Sequence, residues 1–237
     1  MQQQRILFVL TGHDRLGDAG DTSADKTGFH LAEAARPWQV LTDAGYEVDL
    51  ATPRGGRAPI DPGSRDMDDE DNAKFLGDPR VKQQLENTRS LRDVDVSGYD
   101  AIYFPGGHGT MWDLPDDEAV QETVRTMYED GKIVAAVCHG PAALVNVRLS
   151  NGGWLVDGKT MSVFTDAEEK AVDKDTVVPF LLASRLEEHG AKIDGAANFE
   201  KSVSVDGRLI TGQNPASARE LGEKIRDLLD ERRARAA

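Results

Sequence analysis

The chain of 237 residues contains one cysteine, only 6% aromatic residues and no long apolar run. The single thiol, Cys138, excludes an intrachain disulfide and any zinc site built from several thiolates. No apolar stretch approaches the roughly 18 residues of a membrane span. The short apolar run after Arg5 turns polar at Gly12 with no small-residue cleavage site, so it reads as a buried strand rather than a signal peptide. These absences point to a reducing, cytoplasmic setting. Basic charge is also scarce: 28 Lys and Arg face 42 Asp and Glu, a formal net charge of −14. Such a field opposes nucleic-acid backbones and anionic membrane surfaces, and neither is expected as a partner.

What is present suffices for one core. The 39% hydrophobic content and the length fit a single domain over 1–237. Strand-like runs at 5–10, 47–51, 101–104, 133–137 and 161–164 alternate with helical ones, which predicts an α/β fold with a mostly parallel sheet covered on both faces. Asp206-Gly207 between two alternating runs predicts a hairpin with a type I′ turn. Helices are expected over 29–44, over 176–189 with Gly190 as its stop, and over 216–233. A further helix is marked by Val120, Val124, Met127 and Tyr128, which share one face. Residues 54–95, rich in Pro, Gly, Asp and Arg, are too many for an ordinary connection and read as an insertion, either a cap or a surface excursion.

Three segments could carry chemistry. Ile133-Val134-Ala135-Ala136-Val137 has no polar alternation, the mark of a central strand, and stops at Cys138-His139-Gly140-Pro141. A nucleophile-type residue between a buried strand and a helix start has the outline of a nucleophile elbow, where the helix N-terminus favours a thiolate. The plainer reading is a small core residue. Phe104-Pro105-Gly106-Gly107-His108-Gly109-Thr110 follows another strand, and its glycines could point N–H groups at an oxyanion or simply make a tight loop. Glu33 is either a surface carboxylate or, if buried near the thiol, a carboxyl of raised pKa. The five histidines, His13, His30, His108, His139 and His189, show no close pairing on one face, so no metal site is expected, the alternative being a weak site built from His108 with carboxylates. The spacing needed for nucleotide binding is missing as well.

Taken together, the run from Leu10 to Gly17, TGFHLAE, FPGGHGTMWDL, AAVCHGPAAL and GQNPAS resemble the DJ-1/PfpI superfamily and, within it, the Hsp31-like branch; they span residues 10 to 217. The resemblance implies a flavodoxin-like three-layer sandwich, with the 54–95 segment as the small inserted cap of that branch. It makes Cys138 the nucleophile, His139 its partner and Glu33 the carboxyl on the sulfur. The acid that orients the histidine aligns with Glu169, with Glu168 one residue of slippage away. Gly107 and the His139 N–H form the oxyanion hole, with Gly106 and His108 also facing substrate. His30, in place of a large apolar residue, and a longer Asp21 to Asp25 segment depart from the pattern and alter the pocket wall and rim. Class I glutamine amidotransferases share the elbow but take their base from a His-x-Glu pair, and the late His189 is followed by Gly190 and Ala191.

The function implied is a glutathione-independent glyoxalase of the D-lactate dehydratase type, acting on methylglyoxal and related 2-oxoaldehydes without a cofactor, in a chain expected to be a homodimer. The alternatives are a stress-related holdase chaperone, which the mean hydropathy of −0.49 does little to support, and a Cys-dependent deglycase or peptidase on the same site.

Overall fold

The computed structural model describes residues 4–236. In chain order the elements are β1 (Arg5–Val9), α1 (Leu31–Asp43), β2 (Glu47–Thr52), α2 (Glu70–Gly77), α3 (Pro79–Glu86), β3 (Arg89–Ser90), β4 (Ala101–Phe104), α4 (Thr110–Asp113) and α5 (Glu118–Glu129). There follow β5 (Ile133–Val137), β6 (Thr160–Met161), α6 (Asp166–Ala171), α7 (Leu182–Glu188), β7 (Lys192–Ile193), β8 (Val203–Asp206), β9 (Leu209–Gly212) and α8 (Ala218–Ala236). Seven strands form one sheet in the order β3-β2-β1-β4-β5-β9-β8, parallel except for β8 against β9. The order reverses between β1 and β4, and in such sheets the loops at the carboxyl edge near the reversal are where ligands bind.

Strand side chains alternate between two cores. Ile6, Phe8, Tyr103, Ile133, Ala135 and Val137 pack beneath α1, α3 and α8, whereas Leu7, Val9, Ile102, Phe104, Val134 and Ala136 pack beneath α5 and α7. β5 is buried along its whole length, which explains its unbroken apolar sequence. On α5 the expected stripe Val120, Val124, Met127 and Tyr128 is buried, and Asp117 starts the helix by accepting from the N–H groups of Ala119 and Val120. α8 crosses α1 closely at Gly222, where an added Cβ would stand 2.8 Å from Pro37 Cα.

Four expectations change. The helix over 176–189 shrinks to Leu182–Glu188, because Pro179 disfavours helical backbone at Val178 before it; Gly190, at φ 92°, does stop it. The strand at 161–164 is reduced to β6, which pairs β7 in a separate ribbon, while Phe164 N–H donates to Cys138 O (3.1 Å) beside the end of β5. The hairpin turn has positive φ at Gly207 only, so it is type II′ rather than I′. The 54–95 insertion is no bare excursion: it holds α2, α3 and β3, and Ser64 Oγ accepts the Leu31 N–H (2.9 Å) at the start of α1. The insertion therefore braces the helix that carries Glu33.

Candidate active site

The chain turns sharply at the end of β5. Cys138 has φ 58°, the left-handed region that costs a residue with a Cβ of the order of 1–2 kcal/mol. Two hydrogen bonds hold the turn: Cys138 N–H donates to Gly212 O (2.8 Å), and Cys138 O accepts from Phe164. Only a short 3-10 turn, Gly140–Leu144, follows. The helix-dipole contribution expected from the sequence is therefore weak.

Side chains from four segments converge there. His139 Nδ1 lies 3.3 Å from Cys138 Sγ, and His139 Nε2 lies 2.6 Å from Glu169 Oε2. Glu169 Oε1 is 2.8 Å from His108 Nε2. Burial alone would raise the Glu169 carboxyl, but the bonds from His108 and His139 outweigh it and hold the pKa at about 2. An ionised carboxylate only accepts, so each Nε2 carries a hydrogen, and in a neutral ring Nδ1 then presents a lone pair. For His139 that lone pair faces the thiol. Burial, helped by His108, lowers the His139 pKa, which keeps the ring neutral and ready to accept.

Glu33 is fully buried. Its Oε2 accepts the Gly106 N–H at 2.7 Å, Oε1 has no hydrogen-bond partner among the described residues, and the Cys138 thiol lies close enough to interact with the carboxyl. Burial pushes its pKa to about 8, so at neutral pH Glu33 keeps its proton. Burial also pushes the Cys138 thiol up, and an ionised Glu33 would push it further. With the proton on Glu33 that repulsion becomes a donated hydrogen bond, and a thiolate can form against it.

The structure separates the two adjacent acids. Glu168 Oε2 closes a capping box with Thr165, and Oε1 accepts from Phe199 N–H (2.8 Å) and Asn214 Nδ2 (2.9 Å). Glu168 thus ties three loops and does not reach His139. Glu168→Ala should cost about 3 kcal/mol by stranding buried donors, read as a lowered urea midpoint. The Thr165-x-x-Glu168 spacing is itself a capping-box signature that the sequence offered. Gly106 is a correction: its N–H is committed to Glu33 and does not face a substrate. Gly107, at φ 102°, has no acceptor for its N–H among the described residues, and a Cβ there would meet Gly28 O at 2.3 Å. Thr110, missed in the sequence, straps the two loops by donating to Gly107 O (2.8 Å) or His139 O (3.0 Å). Its place in FPGGHGT was the available signal.

His30 stands at the wall of this site, as the sequence suggested. Its N–H donates to Gly106 O (2.9 Å), and burial lowers its pKa to about 4. A histidine pairing absent from the linear pattern is made by the fold: the His108 and His139 rings lie 4.2 Å apart, and with Glu169 they place possible ligand atoms within 4.8 Å of one another. The hydrogen bonds within the trio account for that geometry. A cleft of about 510 Å³ at the carboxyl edges of β1, β2 and β4 is lined by Gly12, His13, Arg54, Arg92, Trp112 and Asp113 and leaves Cys138 outside it. Burial raises the Asp113 carboxyl in that cleft to about 6, but its oxygens are taken by Thr11 and Gly12, and the nucleophile with its imidazole lies at the thiol instead. No helix among the described residues is long and apolar enough to cross a membrane.

Several known proteins are similar to this chain. "Glutathione-independent glyoxalase HSP31" of Saccharomyces cerevisiae is 29% identical over 97% of this chain and 99% of its own. "Glyoxalase 3" of Candida albicans is 28% identical over 93% of this chain and 96% of its own, and the crystal structure of glyoxalase III from that organism superposes with a TM-score of 0.81 over 94% and 95% of the two chains. "Protein/nucleic acid deglycase HchA" of Staphylococcus aureus is 28% identical over 83% of this chain and 70% of its own. The Francisella tularensis Rapid Encystment Protein structure is 40% identical, with a TM-score of 0.90 over 95% and 98% of the two chains. Residues 25–228 match the DJ-1/PfpI family model. The chain is therefore a member of the DJ-1/PfpI family.

Proposed function

We propose that the protein is a glutathione-independent glyoxalase that converts methylglyoxal and related 2-oxoaldehydes to 2-hydroxy acids, D-lactate in the case of methylglyoxal. The observation that carries this reading is the Cys138–His139–Glu169 chain, at 3.3 Å and 2.6 Å, beside a Glu33 that keeps its proton at neutral pH. His139 takes the thiol proton and Cys138 Sγ adds to the aldehyde carbon, giving a hemithioacetal. Glu33 shares its proton with the sulfur as charge develops there. The hemithioacetal oxygen lies against the Gly107 and His139 N–H groups. Isomerisation through an enediol gives a thioester, which water hydrolyses to the hydroxy acid. Each of these steps is supplied by side chains and water. The names of the yeast and Candida relatives support the same chemistry.

The test is incubation of the purified protein with methylglyoxal in glutathione-free buffer, with D-lactate assayed enzymatically. Formation well above the buffer rate is expected, and none above it sinks the reading. Turnover of glycated peptides without lactate would move the same thiol to the deglycase chemistry named for the Staphylococcus relative. Suppression of client aggregation by wild type and Cys138→Ala alike, with no turnover of either kind, would leave a holdase.

A further inference from the structure

The proposed reaction moves a hydrogen from one carbon of the substrate to its neighbour, and the groups assigned so far are occupied elsewhere. His139 is 1% exposed, with Nδ1 on the sulfur and Nε2 on Glu169. Glu33 is fully buried, with one carboxyl oxygen on Gly106 N–H and the other sealed in protein. The His30 Nδ1 is sealed in protein without a partner. His108 differs. Its side chain is 18% exposed, Nε2 is bonded to Glu169, and Nδ1 has no partner among the described residues and is not buried. It follows directly on Gly107, whose free N–H belongs to the proposed oxyanion hole. One carboxylate thus backs two imidazoles: Nδ1 of His139 lies on the thiol, and Nδ1 of His108, on a ring whose centroid is 4.2 Å from that of His139, is left accessible. A carboxylate behind an imidazole fixes the tautomer and stabilises the cation formed on protonation.

We propose that His108 is the second acid–base catalyst of this site, the group that carries the substrate's carbon-bound hydrogen as a proton. The role rests on the glyoxalase reading and deepens it. In the Cys138 hemithioacetal, Nδ1 of His108 removes the hydrogen on C1 as a proton. The C1–H electron pair forms the C1=C2 bond, and the C2=O pair moves onto oxygen. The C1 hydroxyl proton then passes to that oxygen. As the C1 oxyanion collapses to a carbonyl, the C1=C2 pair takes the proton back from Nδ1 at C2. The product is the thioester of a 2-hydroxy acid, an isomer of the hemithioacetal, so no oxidant or reductant is consumed. Meanwhile the imidazolium of His108 is paired with Glu169 and shielded by Phe164, whose ring centroid is 6.3 Å away.

The decisive variant is His108→Gln, whose amide can still donate to Glu169 but cannot act as a base; His108→Asn serves where the longer amide disturbs the loop. Three quantities are read: kcat for D-lactate, the isotope effect with aldehyde-deuterated methylglyoxal, and the rate of Cys138 alkylation by iodoacetamide. The expected result is a fall in kcat of about 10²–10⁴-fold, a larger deuterium effect than in wild type, and alkylation unchanged within about threefold, because the thiol's own base is intact. Unchanged kcat overturns the proposal. So does a fall in kcat without a larger deuterium effect, or one that alkylation follows in step, since His108 would then act only by positioning Glu169 and His139. Wild type that forms no D-lactate overturns the glyoxalase reading and this role with it, an outcome visible before any variant is made.

Discussion

Cys138→Ala should reduce D-lactate formation from methylglyoxal to the uncatalysed rate, a loss on the order of 10⁴–10⁶-fold, as when the nucleophile of a catalytic unit is deleted. The size of the effect follows from the chemistry: without the sulfur there is no hemithioacetal, and His139 and Glu33 have nothing to serve. The fold should survive, because Ala keeps the Cβ at φ 58° and the two backbone bonds, to Gly212 and from Phe164, do not involve the side chain. Near-ultraviolet circular dichroism and the urea midpoint would check that point. Activity retained within tenfold would remove the thiol from the mechanism.

The second large effect is on stability, and it belongs to Glu33. Its pKa rises from 4.5 to about 8 on burial. Between those values the folded chain holds a proton that the unfolded chain has released, so stability is full below pH 4.5 and declines as pH rises through 8. Each pH unit in that window costs about 1.4 kcal/mol from this one group, up to about 5 kcal/mol across it. Glu33→Gln keeps the acceptor for Gly106 N–H and a donor for the sulfur, yet has no proton to lose. The difference in unfolding free energy between variant and wild type should therefore grow in the variant's favour as pH rises from 4.5 to 8. Parallel stability curves for the two proteins would show that Glu33 ionises normally. The variant should also lose about 10²-fold in kcat while its thiol still alkylates, because an amide cannot return a proton to the sulfur.

Much of the sheet was legible because burial on both faces leaves a plain trace: Ile133 to Val137 could be read as a central strand, and the elbow followed from where it stops. The helix over 176–189 misled because apolar spacing was weighed without Pro179, whose effect on Val178 is local and strong. Glu168 and Glu169 could not be told apart by alignment, since neighbours on a helix point about 100° apart and one slip exchanges them. The capping box claims Glu168 and so leaves Glu169 to the histidines. His108 was legible as a loop residue but not as a partner of Glu169, because 61 residues separate them and only the fold brings α6, tied to the end of β5 by the Phe164 N–H on Cys138 O, against the loop after β4. Gly106 was assigned to substrate for want of the same information: nothing in TGFHLAE or FPGGHG says that Glu33 consumes its N–H.

A single cysteine makes the central claim directly measurable. Methyl methanethiosulfonate adds only a methylthio group to a thiol, and each chain has one thiol to take it. With glutathione absent, D-lactate formation should fall linearly with the fraction of Cys138 modified, reach the uncatalysed rate at one label per chain, and return once a reductant has removed the label and been removed in turn. Fully labelled protein that still forms D-lactate at the unlabelled rate would contradict a hemithioacetal on Cys138, and with it the role given to His139, Glu169 and Glu33.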